Sequence, residues 1–98
     1  MVQFLGATSI KLAPIQHVVA LSWAPSTSAN ITGYNIYRAS VSGGPYLRIN
    51  SGGLVAATLY DDASVKSGTN YFYVVTTMDS SGAESHFCNQ VKAVVPYP

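Results

Sequence analysis

Four carboxylates, two imidazoles and one thiol are the groups from which this chain of 98 residues would have to build a hydrolytic, metal or nucleophilic site. Paired carboxylates hydrolyse glycosides when a cleft holds them at a defined separation. Asp61 and Asp62 are sequence neighbours at a strand end, so their side chains point to opposite sides. Asp62 reads as a turn former that bonds local backbone N–H groups. Asp79 and Glu84 flank a turn and read as the residues that fix it. Zinc needs three or four converging ligands, usually at short paired spacings. His86 and Cys88, two apart, share a sheet face, but His17 is remote and no second pair exists. Neither a metal site nor a cofactor site is expected. A Cys–His nucleophile pair lacks an orienting third group, and Ser22 and Ser26 lack the strand-to-helix elbow of a serine nucleophile. Gly43-Gly44 and Gly52-Gly53 read as turns and not as phosphate cradles, because no helix follows them. These residues assemble no enzyme.

Composition narrows the class further. Hydrophobic residues make up 48% and charged residues 9% of the chain, with a formal charge of +1. Disorder goes with low hydrophobicity and high net charge, the reverse of this balance. Lys11, Arg38, Arg48, Lys66 and Lys92 are scattered, so no basic stripe exists to displace counterions from nucleic acid. A single cysteine excludes an intrachain disulfide. Apolar runs such as Val18-Val19-Ala20-Leu21 fall far short of the ~20 residues of a membrane helix, and no membrane insertion is expected. The first residues lack the basic and cleavage features of a signal peptide, and the chain reads as one domain over 1–98, core about 8–96, taken from a longer protein.

The period is two almost throughout. Val19, Leu21 and Trp23 alternate with Ala20 and Ser22; Tyr34 and Ile36 with Asn35 and Tyr37; Tyr71, Tyr73 and Val75 with Phe72, Val74 and Thr76. β-Branched and aromatic residues at this spacing form strands. Turn-rich stretches separate them, and strands recurring every 8–12 residues or so indicate a sandwich or barrel. The pattern predicts strands over 8–12, 17–23, 33–39, 46–50, 57–61, 70–78 and 87–95. Ser42-Gly43-Gly44-Pro45 joins the third and fourth, because glycine supplies the positive φ of a tight turn. Prolines in Val95-Pro96-Tyr97-Pro98 end the last strand and begin a stiff connection.

Taken in order, several stretches resemble the fibronectin type III family, in its bacterial multidomain form. They are Val19-Ala20-Leu21-Ser22-Trp23-Ala24-Pro25-Ser26, Ile31-Thr32-Gly33-Tyr34-Asn35-Ile36-Tyr37-Arg38, Ser42-Gly43-Gly44-Pro45-Tyr46, Tyr60-Asp61-Asp62, Ser67-Gly68-Thr69-Asn70-Tyr71-Phe72-Tyr73-Val74-Val75 and Gly82-Ala83-Glu84-Ser85. They run from about 17 to 96; the stretch before His17 does not match. Ser67 stands where relatives often carry proline, and Thr77 where alanine is common. The resemblance implies an all-β, immunoglobulin-like sandwich of seven antiparallel strands, with A (8–12), B (17–23) and E (57–61) facing C (33–39), C′ (46–50), F (70–78) and G (87–95). It also implies a corner tyrosine at Tyr71, whose hydroxyl returns to the backbone of the E–F connection. Trp23, Tyr34, Ile36, Tyr71, Tyr73 and Val75 are the expected core.

If Tyr71, Tyr73 and Val75 face inward, Phe72, Val74, Thr76 and Met78 face outward, joined by Tyr37 and Val94. A polar outer face is the norm, so this stripe has two readings. It is a docking surface for a neighbouring domain, a second copy or sugar rings, or it is partly covered by long side chains such as Arg38 and Lys92. Cys88 is expected to point outward with Gln90, as a half-buried neutral thiol or, alternatively, an intermolecular disulfide partner. Asn30-Ile31-Thr32 is formally a glycosylation sequon, relevant only in a eukaryotic secretory route. No Arg-Gly-Asp tripeptide occurs, so integrin binding has no residues to rest on.

Two functions follow from the missing chemistry and the resemblance. One is a non-catalytic spacer module of an exported bacterial protein, secreted, surface-bound or periplasmic, whose partners are its neighbouring domains. The other is a polysaccharide- or protein-binding module using the C–F–G face or the loops at 24–33, 50–57 and 79–84.

Overall fold

The computed structural model describes residues 3–13 and 16–98. Every assigned element is a strand: β1 (Gln3–Ala13), β2 (Gln16–Ala24), β3 (Ile31–Ala39), β4 (Leu47–Arg48), β5 (Leu59–Asp62), β6 (Asn70–Asp79) and β7 (Val91–Val94). They form two antiparallel sheets, β1-β2-β5 and β4-β3-β6-β7. This is the sandwich and the division into sheets that the alternating pattern and the resemblance imply.

The inner faces follow from period two. Val19, Leu21 and Trp23 of β2 meet Tyr34 and Ile36 of β3 and Tyr71, Tyr73 and Val75 of β6 in one buried cluster. Trp23 sits at its centre. Phe4 approaches edge-on at 5.9 Å and Tyr34 at 5.5 Å, ring centroid to centroid. Such edge-to-face contacts set the electropositive rim of one ring against the electronegative face of the next.

Strand lengths depart from the expectation at both ends of the chain. The first strand, read from 8–12, starts at Gln3, because Phe4 pairs with Trp23 and fills the core beside it. The backbone N–H of Phe4 also donates to the Asn89 side chain at 3.0 Å, closing the seam between the sheets. The fourth strand shrinks from 46–50 to Leu47–Arg48. Asn50, at its expected end, is buried and accepts from the backbone N–H of Ile36 at 2.9 Å.

The last strand, read from 87–95, is regular only over Val91–Val94. Ser85 N–H donates to the Thr77 carbonyl, Cys88 N–H to the Val75 carbonyl, and Val91 pairs with Tyr73. Two-residue steps along β6 are thus matched by three-residue steps on the returning segment. An unmatched residue at each step makes the segment bulge and reverses its inside–outside alternation. Gly43 and Gly44, at φ 87° and 97°, shape the β3–β4 turn in a region that side chains disfavour.

Candidate functional site

The irregular return builds a roof over the outer face of the four-stranded sheet. Tyr37 lies opposite Val74, and Asn35 opposite Thr76, so all four stand on that face. The bulged segment sends Phe87 across them. Its ring meets Tyr37 at 5.2 Å and Tyr46 at 5.1 Å, both edge-to-face. From the other side, the β3–β4 turn folds over the sheet and is pinned to Gln90. Gly43 N–H donates to the Gln90 amide oxygen at 2.8 Å, the Tyr46 hydroxyl donates to the same oxygen, and the Gln90 amide donates to Ser42.

This roof corrects the outward stripe. Val74 is only 2% exposed and Thr76 is also buried, because Tyr37, Phe87 and the Glu84 side chain lie over their side of the sheet. Tyr37, Phe72 and Met78 are half-buried, and Val94 alone of that set is exposed. The ammonium of Lys92 sits 6.0 Å from the centroid of the Phe72 ring, the covering by a long side chain that sequence reasoning weighed. Cys88 is corrected too. Counting back from Val91 sends it outward, but the bulge turns it in, where its sulfur accepts from Val75 N–H at 3.1 Å. Burial pushes its thiol pKa up, so it is a neutral thiol and a poor nucleophile.

Glu84 does more than fix a turn. Its Oε2 accepts from the Thr76 hydroxyl at 2.5 Å, the Tyr37 hydroxyl at 2.5 Å and the Asn35 amide at 3.4 Å. Asn35 in turn accepts from Asn50 at 2.9 Å, so a polar chain runs from the surface into the sheet. Burial acts to raise the Glu84 carboxyl, but the donations from Thr76, Tyr37 and Asn35 outweigh it and hold the pKa below the usual glutamate range. Burial raises the Tyr37 phenol, and its bond to Glu84 adds to the effect. Between Glu84 and Phe87 a cleft opens, lined also by Tyr37, Thr76, Ser85 and His86. Asp79 does hold the β6–β7 turn, accepting from Ser81 N–H, the Ser81 hydroxyl and Ala83 N–H.

At the other end, Asp62 is buried and exceeds its expected turn role. It accepts from Ser64 N–H, and it also accepts from Arg38 at 2.9 Å and the Tyr73 hydroxyl at 2.7 Å, joining the two sheets. Burial would raise its pKa, yet the donations from Ser64, Tyr73 and Arg38 leave it lowered. Desolvation, reinforced by Asp62, raises the Tyr73 phenol. The Tyr71 hydroxyl accepts from Lys66 N–H at 2.9 Å, in the β5–β6 connection. Each of these polar groups is thus engaged in holding the sandwich together.

The other candidates stay apart. His17 lies near the start of β2, toward the opposite end of the sandwich from the β6–β7 turn before His86 and Cys88. Among the described residues, no three His, Cys, Asp or Glu side chains come together as a metal site would require. Thr32 of the sequon donates its hydroxyl to the Met78 carbonyl at 3.0 Å, and Ser80 N–H donates to the Asn30 carbonyl, joining the loops at one pole. Phe87, Tyr46, Asn35 and Asn50 escaped the sequence reading. So did Ile10 and Leu59, which lie 43% and 62% exposed on the outer face of the three-stranded sheet. The apolar alternation of Ile10 with Leu12 was the available signal.

No protein-family model matches the chain. Among curated proteins it is 45% identical, over 82% of its length, to an amylopullulanase of Thermoanaerobacterium thermosulfurigenes, of which it spans 4%. Among solved structures, it is 30% identical to an Fn3-like protein from Clostridium thermocellum, with a TM-score of 0.75, covering 95% of this chain and 86% of that one. A titin module, A71 from human cardiac muscle, has the same fold at a TM-score of 0.69 and 18% identity, covering 94% and 88% of the two chains.

Proposed function

The chain belongs to the fibronectin type III family, and from that premise we propose that it is a non-catalytic accessory module of an exported bacterial enzyme that degrades α-glucans. The observation that carries this reading is its 45% identity to a segment amounting to 4% of an amylopullulanase. A sequence that recurs as so small a share of a large enzyme fits a part that spaces or presents the catalytic domains. The polar side chains fit that role, since Asp62, Glu84, Asp79 and Tyr71 are engaged in internal bonds and do not converge on a reacting atom. Export fits this reading, because polymeric α-glucans supplied from outside are too large to be taken up whole.

The test replaces the module, within its parent enzyme, by a flexible linker of matched span. Hydrolysis of a short soluble α-glucan should keep its kcat, while heat stability or turnover of polymeric substrate falls. A loss of about tenfold or more in kcat on the short substrate would overturn the non-catalytic role.

A binding role has its own support in the Phe87–Glu84 cleft on the four-stranded sheet. The surface offered to a ligand there is smaller than an open C–F–G face, because the roof covers Val74 and Thr76.

A further inference from the structure

Resting on the reading of the parent as a glucan-degrading enzyme, we propose that the cleft between Phe87 and Glu84 binds a neutral α-glucan chain. Phe87 supplies the ring against which a sugar packs, and Glu84 the acceptor for sugar hydroxyls.

The cleft holds about 300 Å³, at the small end of ligand sites and suited to a chain lying across it. Phe87 is 47% exposed, yet two rings fix it edge-on, Tyr37 at 5.2 Å and Tyr46 at 5.1 Å. A ring held in place but left uncovered binds without first losing rotamer freedom. Its exposed part offers apolar surface to the C–H side of a sugar.

The carboxylate is prepared in the same way. Thr76, Tyr37 and Asn35 all donate to Oε2 of Glu84, and Oε1 accepts from no side chain among the described residues. The three donations fix the group's orientation, so its free oxygen is aimed and ionised. His86 is exposed on the same cleft and adds a nitrogen that can donate or accept.

Charge selects the ligand class. An anion would meet the Glu84 carboxylate. A cation would compete with Arg48, which pairs across from Tyr37 and already acts on the Glu84 charge. A neutral polyol remains, binding through hydroxyls and one apolar face.

Titration of the 98-residue chain with maltoheptaose, followed by amide chemical shifts, tests the site. Shifts should centre on Tyr37, Glu84, His86 and Phe87. Phe87→Leu keeps an apolar cover over the sheet while removing the ring, and it should weaken binding about tenfold. Glu84→Gln should weaken it by a smaller factor, and Leu59→Ser, on the opposite face, should leave it unchanged. Intact folding of each variant is read from Trp23 fluorescence. If wild type shows no shifts with maltoheptaose, the inference fails while the accessory-module role stands. If cellohexaose binds at these residues in place of maltoheptaose, the α-glucan assignment falls, while the accessory-module role still stands or falls on the kcat of the parent enzyme.

Discussion

The two sheets of this sandwich treat their outer faces in opposite ways. On the four-stranded sheet, a bulged return strand and a folded-over turn cover Val74 and Thr76, and the cover is tied down by Glu84 and Gln90. On the three-stranded sheet, Ile10 and Leu59 are exposed, although Val18 of the central strand, beside Ile10, is buried. Both faces carry apolar side chains at outward positions. The difference lies in connection length. The β3–β4 and β6–β7 connections run 40–46 and 80–90, long enough to lie back over their own sheet, whereas only two residues separate the end of β1 at Ala13 from the start of β2 at Gln16. A sheet face is therefore inside or outside according to the loops that border it, and strand alternation alone does not decide which.

The largest test of this contrast is Val74→Ser. At an open outer position it would be nearly neutral. Beneath the roof it should cost about 3 kcal/mol, from lost packing and a buried hydroxyl with no assigned partner, read as a lower denaturant midpoint. Tyr71→Phe calibrates the scale from the core between the faces. Removing the acceptor of Lys66 N–H should cost about 1–3 kcal/mol, and an unchanged midpoint would discard the corner role.

The roof should also depend on pH. The folded-state pKa of Glu84 lies below its ordinary 4.5, so its contribution is complete above that value and is lost as pH falls through the depressed folded value. Wild type should therefore lose part of its stability advantage over Glu84→Gln between neutral pH and about pH 3. A constant difference across that range would detach Glu84 from the roof. The smallest effect belongs to the bare face: Leu59→Ser should stay within about 0.5 kcal/mol of wild type, and a larger loss would mean that the face is covered.

Much of this was legible in the sequence. Trp23, Tyr34 and Tyr71 announce themselves as large rings at period two between turn signals, and the family resemblance carried by the stretches around them implies which strands share a sheet. The roof was not legible, for a definite reason. Parity counting assumes one residue per step, and between Thr77 and Tyr73 the returning strand takes three residues for every two. That irregularity displaces Cys88 inward and brings Phe87 over Tyr37, and no residue type marks it. Glu84 and Asp62 were misjudged in scope because their longer-range partners, Tyr37, Thr76, Arg38 and Tyr73, lie on other strands. Sequence proximity shows a turn; it cannot show a cross-strand bond.

The unequal lengths of the outermost strands have a mechanical consequence. β1 enters at the pole of the β2–β3 loop and β7 leaves at the opposite pole, so tension along a string of domains would pull the two strands in opposite directions. Both would be loaded in shear, with all their rungs sharing the force. β1 holds to β2 through nine paired positions and β7 to β6 through four. Under load the molecule should yield at β7 first, and the roof, carried on the same return segment, would come away with it.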